Sequence, residues 1–122
     1  MKASKLTVVL LLLLIAAGQE SGVMVHNGMG NGQDFLEWSA NQRNIYAMGA
    51  INGILLSPLF GAPKDGVRWL EDCTEGMTNH QISEIIGQYI QQHPAEWHHG
   101  LHILTYRSML SSCTNSPANR GK

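Results

Sequence analysis

Residues 78–94, TNHQISEIIGQYIQQHP, specify a helix by three separate signals. Thr78 and Gln81 form a capping box: the threonine hydroxyl accepts from the backbone N–H three residues on, and the glutamine side chain reaches back. Behind it Ile82, Ile85, Ile86, Tyr89 and Ile90 fall in one arc at about 100° per residue, with Glu84, Gln88, Gln91 and Gln92 opposite. Pro94 disfavours helical geometry in the residue before it, so the helix is expected to stop at His93. A helix with one apolar face must be covered by others, and the rest of the chain has to supply them.

Pro94 is suited to the first turn of a following helix, and Glu96 favours the positive end of its dipole. The pattern predicts that helix over residues 94–112, with Trp97, Leu101 and Leu104 on one side and Ile103, Tyr106, Leu110 and Cys113 nearly opposite. The second stripe calls for a cover, either another helix of the chain or a second subunit. Residues 40–56 are apolar almost all round (Ile45, Tyr46, Met48, Ile51, Ile54, Leu55, Leu56), which predicts a central helix. Within it Gly49 and Gly53 lower helix propensity but admit another backbone, so leucine at either should overpack. Residues 34–38 suggest a short helix. Residues 57–72 read as a loop, broken by Pro58, Gly61, Pro63 and Gly66; Val67, Trp69 and Leu70 are expected in the core and Leu59 and Phe60 outside it. With no alternating strand pattern and no internal repeat, the fold class is all-α: a small bundle of about four to five helices.

The first residues are of another kind. Lys2 and Lys5 precede an apolar run, residues 6–15, interrupted only by Thr7, and Ala16, Ala17 and Gly18 follow. That order is expected of a secretory signal peptide over residues 1–18, too short for a permanent membrane span. The mature chain of about 104 residues suffices for one domain, residues 34–113, between a Gly/Asn-rich leader at 19–33 and a polar tail at 114–122. Loss of Lys2 and Lys5 leaves six basic side chains against nine acidic ones, a net charge of −3. No basic stripe remains, and nucleic acid is not an expected partner; nor, after cleavage, is a membrane. Cys73 and Cys113 are the only cysteines. In an exported chain such a pair is expected to form one intrachain disulfide, closing a loop of about 40 residues worth roughly 4 kcal/mol.

Four of the six histidines lie in HPAEWHHGLH, residues 93–102. On a continuous helix His98 and His102 would share a face at the spacing of a two-histidine zinc site. No HExxH accompanies them, Glu96 would fall on another face, and His80 or Asp72 would have to arrive by tertiary packing. Surface or interface histidines are therefore expected, and no metal or other cofactor. No GxSxG, paired-carboxylate segment or phosphate loop occurs, so the chain is not expected to be an enzyme.

Cys73, the Thr78-x-x-Gln81 opening, Tyr89 and Ile90 before His93 and Pro94, and Cys113 closing the last helix form a set. Together with the signal peptide and the Gly49-x-x-x-Gly53 helix, this set over residues 34–113 resembles the Rap/Tai immunity proteins of type VI secretion systems. The resemblance implies a periplasmic antitoxin that binds a peptidoglycan amidase effector and blocks its active-site groove, often as a homodimer. On this chain the segment expected to do so is residues 57–68, with Leu59 and Phe60 as anchors and Lys64, Asp65 and Arg68 beside them. The alternative is a small periplasmic acid-stress chaperone, also exported, helical and disulfide-bonded.

Overall fold

The structure, a computed structural model, describes residues 28–114. The expected signal peptide, most of the leader and the tail after Thr114 lie outside these residues. Among the described residues five α-helices and two short 3-10 turns follow one another: α1 (Gly32–Glu37), α2 (Ala40–Leu55), a 3-10 turn at Ser57–Phe60, α3 (Asp65–Thr74), α4 (Asn79–Gln92), a 3-10 turn at Pro94–Glu96, and α5 (Leu101–Thr114). There is no strand among the described residues, only an isolated antiparallel bridge between Asn31 and Gly100. The all-α class with one disulfide holds.

Three helices begin with the same device. Asn31 and Asp34, Ser39 and Gln42, and Thr78 and Gln81 each exchange reciprocal side chain–backbone hydrogen bonds, which satisfy donors that a helix start leaves orphaned. Trp38 is extended between α1 and α2, so the chain turns there without a glycine. Helix α4 ends at His93 as Pro94 requires.

α4 is the central element, packing on both α2 and α5. Its Ile82, Ile86 and Ile90 are buried together with Phe35, Ala47, Ile51, Leu70, Leu101, Leu104, Met109 and Cys113. Fully burying a side chain such as Phe35 or Ile86 contributes about 1.5–3 kcal/mol. Phe35 also meets Trp38 and Tyr46, with ring centroids 5.8 and 6.0 Å away. Two polar contacts set how α2 lies on its neighbours. Ser83 donates to Asn44 Oδ1 at 2.6 Å, and Tyr46 Oη lies 3.2 Å from the buried Thr105 hydroxyl. The Cys73–Cys113 disulfide ties α3 to α5, with Cα atoms 5.7 Å apart.

Four expectations are corrected. The first helix starts at Gly32, ahead of residue 34, because Asn31 is its cap. The segment 57–72 is not all loop: Val67, Leu70 and Cys73 recur every three residues, and burial of Leu70 pulls Asp65–Thr74 into α3. The expected helix over 94–112 is split. Gly32 N–H donates to the Trp97 carbonyl at 2.9 Å and Leu101 N–H to the Gly30 carbonyl at 2.8 Å, so backbone groups that would have continued the helix bond to the entering chain instead. Last, α2 is peripheral. Only Ala47 and Ile51 are buried along it; Ile45, Met48 and Leu56 are each half-exposed or more.

Candidate partner-binding surface

The segment after α2 is built to hold two apolar side chains out from the body. Pro58 sits in the first turn of the 3-10 element, where its fixed φ suits the geometry and its missing N–H costs nothing. Leu59 N–H donates to the Leu56 carbonyl at 2.9 Å, and Gly61 N–H to the Pro58 carbonyl at 3.2 Å. Gly61 then reverses the chain at φ 98°, a left-handed conformation that side chains resist. Between these fixed points Leu59 is 78% and Phe60 85% exposed. These are the two side chains the sequence places outside the core.

Lys64, Asp65 and Arg68 follow on the first turn of α3, all exposed. Arg68 and Asp65 pair at 3.1 Å, and as both stand in solvent the pair adds little stability. It supplies instead a polar margin beside an apolar tip. Behind it Trp69 Nε1 donates to the Gly66 carbonyl at 2.8 Å, and its ring meets Tyr106 edge-on at 5.9 Å. Tyr106 thereby gains from α3 part of the cover that the second stripe of the last helix demands. Val67 and Trp69 are half-buried and Leu70 fully buried.

The outer face of α2 was not legible as a surface. At about 100° per residue Ile45, Met48, Gly49, Asn52, Gly53 and Leu56 fill its outward arc, and all six are exposed. Both glycines have ordinary helical backbone, and a Cβ at either would meet none of the described residues within 4 Å. The described residues leave space where leucine at either position was expected to overpack. Each glycine costs α2 about 1 kcal/mol relative to alanine, with no close packing partner among the described residues to offset it. Beside them runs an open groove of 630 Å³ lined by Met29, Tyr46, Gly49, Gly53, His102 and Thr105. One signal pointed here: residues 44–63 contain no charged side chain. In the groove wall, burial pushes the Tyr46 phenol above its ordinary value, against the hydrogen bond to Thr105, which lowers it.

The histidine-rich segment resolves into separate roles. His98 lies in the turn before α5 and His102 on the helix, so they do not share the i, i+4 face of one helix. His98 and His99 have ring centroids 4.2 Å apart. Among the described residues no three or more histidine, cysteine or carboxylate side chains converge as a metal site would need. His93 stacks on Tyr89 at 4.0 Å, its Nδ1 2.7 Å from the Tyr89 carbonyl. Glu96 accepts from Arg107 at 3.0 Å and from the Tyr89 hydroxyl at 3.2 Å, fastening the 3-10 turn to α4 and α5. The Arg107 hydrogen bond draws the Glu96 carboxyl below its ordinary value; partial burial opposes this, and the Tyr89 hydrogen bond reinforces it. Tyr89 moves up, through burial first and then the adjacent Glu96 charge.

No helix among the described residues is long and apolar enough to cross a membrane. Comparison with known proteins returns no matching family model, no matching curated protein and no matching solved structure.

Proposed function

We propose that this chain is a periplasmic immunity protein that binds a peptidoglycan amidase delivered by type VI secretion and covers its active-site groove. The observation that carries the reading is the Leu59–Phe60 turn: two large apolar side chains held in solvent by a fixed backbone, with Lys64, Asp65 and Arg68 beside them. An apolar anchor with a polar margin is the usual anatomy of a protein-binding hot spot. Inserted into a cleft, Leu59 and Phe60 would expel water from it, while the charged trio would fix orientation. The resemblance to the Rap/Tai proteins, the export signal expected over residues 1–18 and the Cys73–Cys113 disulfide agree with a periplasmic binder that is not itself an enzyme.

The test is rescue. A cell-wall amidase is directed to the periplasm of a sensitive host, with and without this chain. Survival should require residues 1–18, and the double change Leu59→Asp with Phe60→Asp should abolish it. In vitro that variant should lose at least about 30-fold in amidase affinity, the loss expected of a hot-spot pair, while melting as the wild type does. No rescue across a panel of amidases sinks the reading. Suppression of client aggregation at acid pH in that case would support the chaperone alternative.

A further inference from the structure

We propose that the groove between α2, the end of α3 and the start of α4 is a binding site for a basic amphipathic helix. The apolar face of that helix fills the groove, and its cations meet Glu71, Asp72 and Glu75. The groove has a volume of 480 Å³ and is lined by the apolar Met48, Ile51, Leu55, Met77 and Ile82. No charged side chain lines it, and Thr74 is part of its wall. Thr74 also belongs to a neighbouring recess of 400 Å³, whose other residues are Glu71, Asp72 and Glu75. Two hollows thus meet at one residue, apolar on one side and acidic on the other. Met48 and Met77 suit the apolar part to a helix face, because their unbranched side chains adapt to what lies against them.

The acidic part has no counter-charge among the described residues. Glu71 and Glu75 stand one turn apart, where like charges repel, and Asp72 adjoins them. All three are exposed, at the end of α3 where the backbone dipole is itself negative. The described cations are engaged elsewhere: Arg43 by the carbonyls of Phe35 and Leu36, Arg107 by Glu96, and Arg68 by Asp65. Lys64 stands at the opposite end of α3. A cationic partner would remove the repulsion that the fold leaves in place.

The chain's own remaining segments do not combine the two chemistries. Residues 115–122 carry Arg120 and Lys122 but no apolar side chain larger than proline. Residues 19–27 carry Val23, Met24 and Val25, yet their only charged side chain is Glu20, of the same sign as the recess. A second copy offers Leu59 and Phe60 beside Lys64 and Arg68, but that contact joins two different patches and strings copies into open chains. The complement is an outside helix with apolar residues at i, i+3, i+4 and i+7 and cations along their flank. No residue of the groove or the recess lies in 57–68, so the site stands apart from the Leu59–Phe60 turn and from the proposed function.

The test is calorimetric titration of the oxidised chain, without residues 1–18, by the synthetic peptide LKKLLKLLKKLLKL. Saturable one-to-one binding is expected, weakening as salt rises, and the acidic peptide LEELLELLEELLEL should not bind. Glu71→Lys combined with Asp72→Lys should lower affinity about tenfold at low salt and flatten the salt dependence. Met48→Gln keeps the side-chain length at an exposed site and removes the apolar contact. It should lower affinity about fivefold and leave the salt dependence in place. Circular dichroism checks that both variants fold as the wild type does. Leu59→Asp with Phe60→Asp should bind the peptide undiminished, so this site and the proposed function fail separately. Absence of binding overturns the proposal, as does binding indifferent to Met48→Gln, which would be charge attraction alone. Binding that appears only after removal of residues 115–122, or self-association through the groove, also overturns it by supplying an occupant from the chain itself.

Discussion

The guanidinium of Arg43 lies 5.5 Å from the centroid of the Phe35 ring, while its Nε donates to the Phe35 backbone carbonyl at 2.9 Å. A second guanidinium nitrogen donates to the carbonyl of Leu36. Helix α1 has six residues, and of its last carbonyls that of Phe35 also accepts from the Trp38 N–H at the C-cap, at 3.3 Å. One side chain from α2 satisfies two of them and stays over the aromatic face beneath. Arg43→Ala is expected to lower stability by about 2 kcal/mol. Arg43→Lys should recover less than half of that, because an ammonium lacks the planar fork that spans both carbonyls. Urea unfolding of the three proteins checks this; an arginine-to-alanine change without effect would separate the α1 cap from global stability.

Gly32 is the buried glycine that behaves as α2's glycines were expected to. A Cβ there would lie 3.0 Å from Leu104 Cδ1, 3.1 Å from Trp97 Cα and 3.2 Å from Ile90 Cγ2. The Trp97 atom is backbone, in the segment hydrogen-bonded to Gly32 itself, and cannot swing aside. Gly32→Ala should therefore destabilise by about 1–3 kcal/mol despite the better helix propensity of alanine. Thermal melting decides it, and an unchanged midpoint would mean α1 and Trp97 part more easily than their packing indicates.

The disulfide closes a loop whose ends are 40 residues apart. Replacing Cys73 and Cys113 together by alanine should cost about 4 kcal/mol by the chain-entropy relation, a large share of the margin of a domain this size. Denaturant midpoints with and without reductant on the wild type should show the same loss. A reduced protein as stable as the oxidised one would contradict it.

Glu96 makes stability depend on acid. Its folded pKa is below the ordinary 4.5, so the carboxylate contributes fully above that value and progressively less as pH falls through the folded one. Glu96→Gln removes the charge that Arg107 meets. Wild type and variant should differ in melting temperature at neutral pH and converge in acid. A gap constant across the range would assign the loss to packing of the turn instead.

Local signals in this chain proved legible where one residue pair decides the outcome. Thr78 with Gln81, the stop at His93, and a lone pair of cysteines each admit one economical answer. The misreadings came where distant backbone intervened. Pro94 does start a helical turn, yet the entering segment at Gly30 and Gly32 takes the backbone bonds of Trp97 and Leu101, and nothing local to 94–101 announces that. For α2 the failure is one of symmetry: a helix apolar on every side carries no mark of which side is covered. Leu59 and Phe60 were readable because Pro58 and Gly61 bracket them too closely for the pair to fold back.

That bracketing has a thermodynamic consequence. Residues 56–62 are held by a set of backbone hydrogen bonds, the last from Ala62 N–H to the Ser57 carbonyl at 3.2 Å. A loop that must order itself on contact surrenders about 1–2 kcal/mol of backbone entropy per residue. This turn made that sacrifice during folding, so a cleft that took Leu59 and Phe60 would meet a shape already set and keep more of the contact energy as affinity.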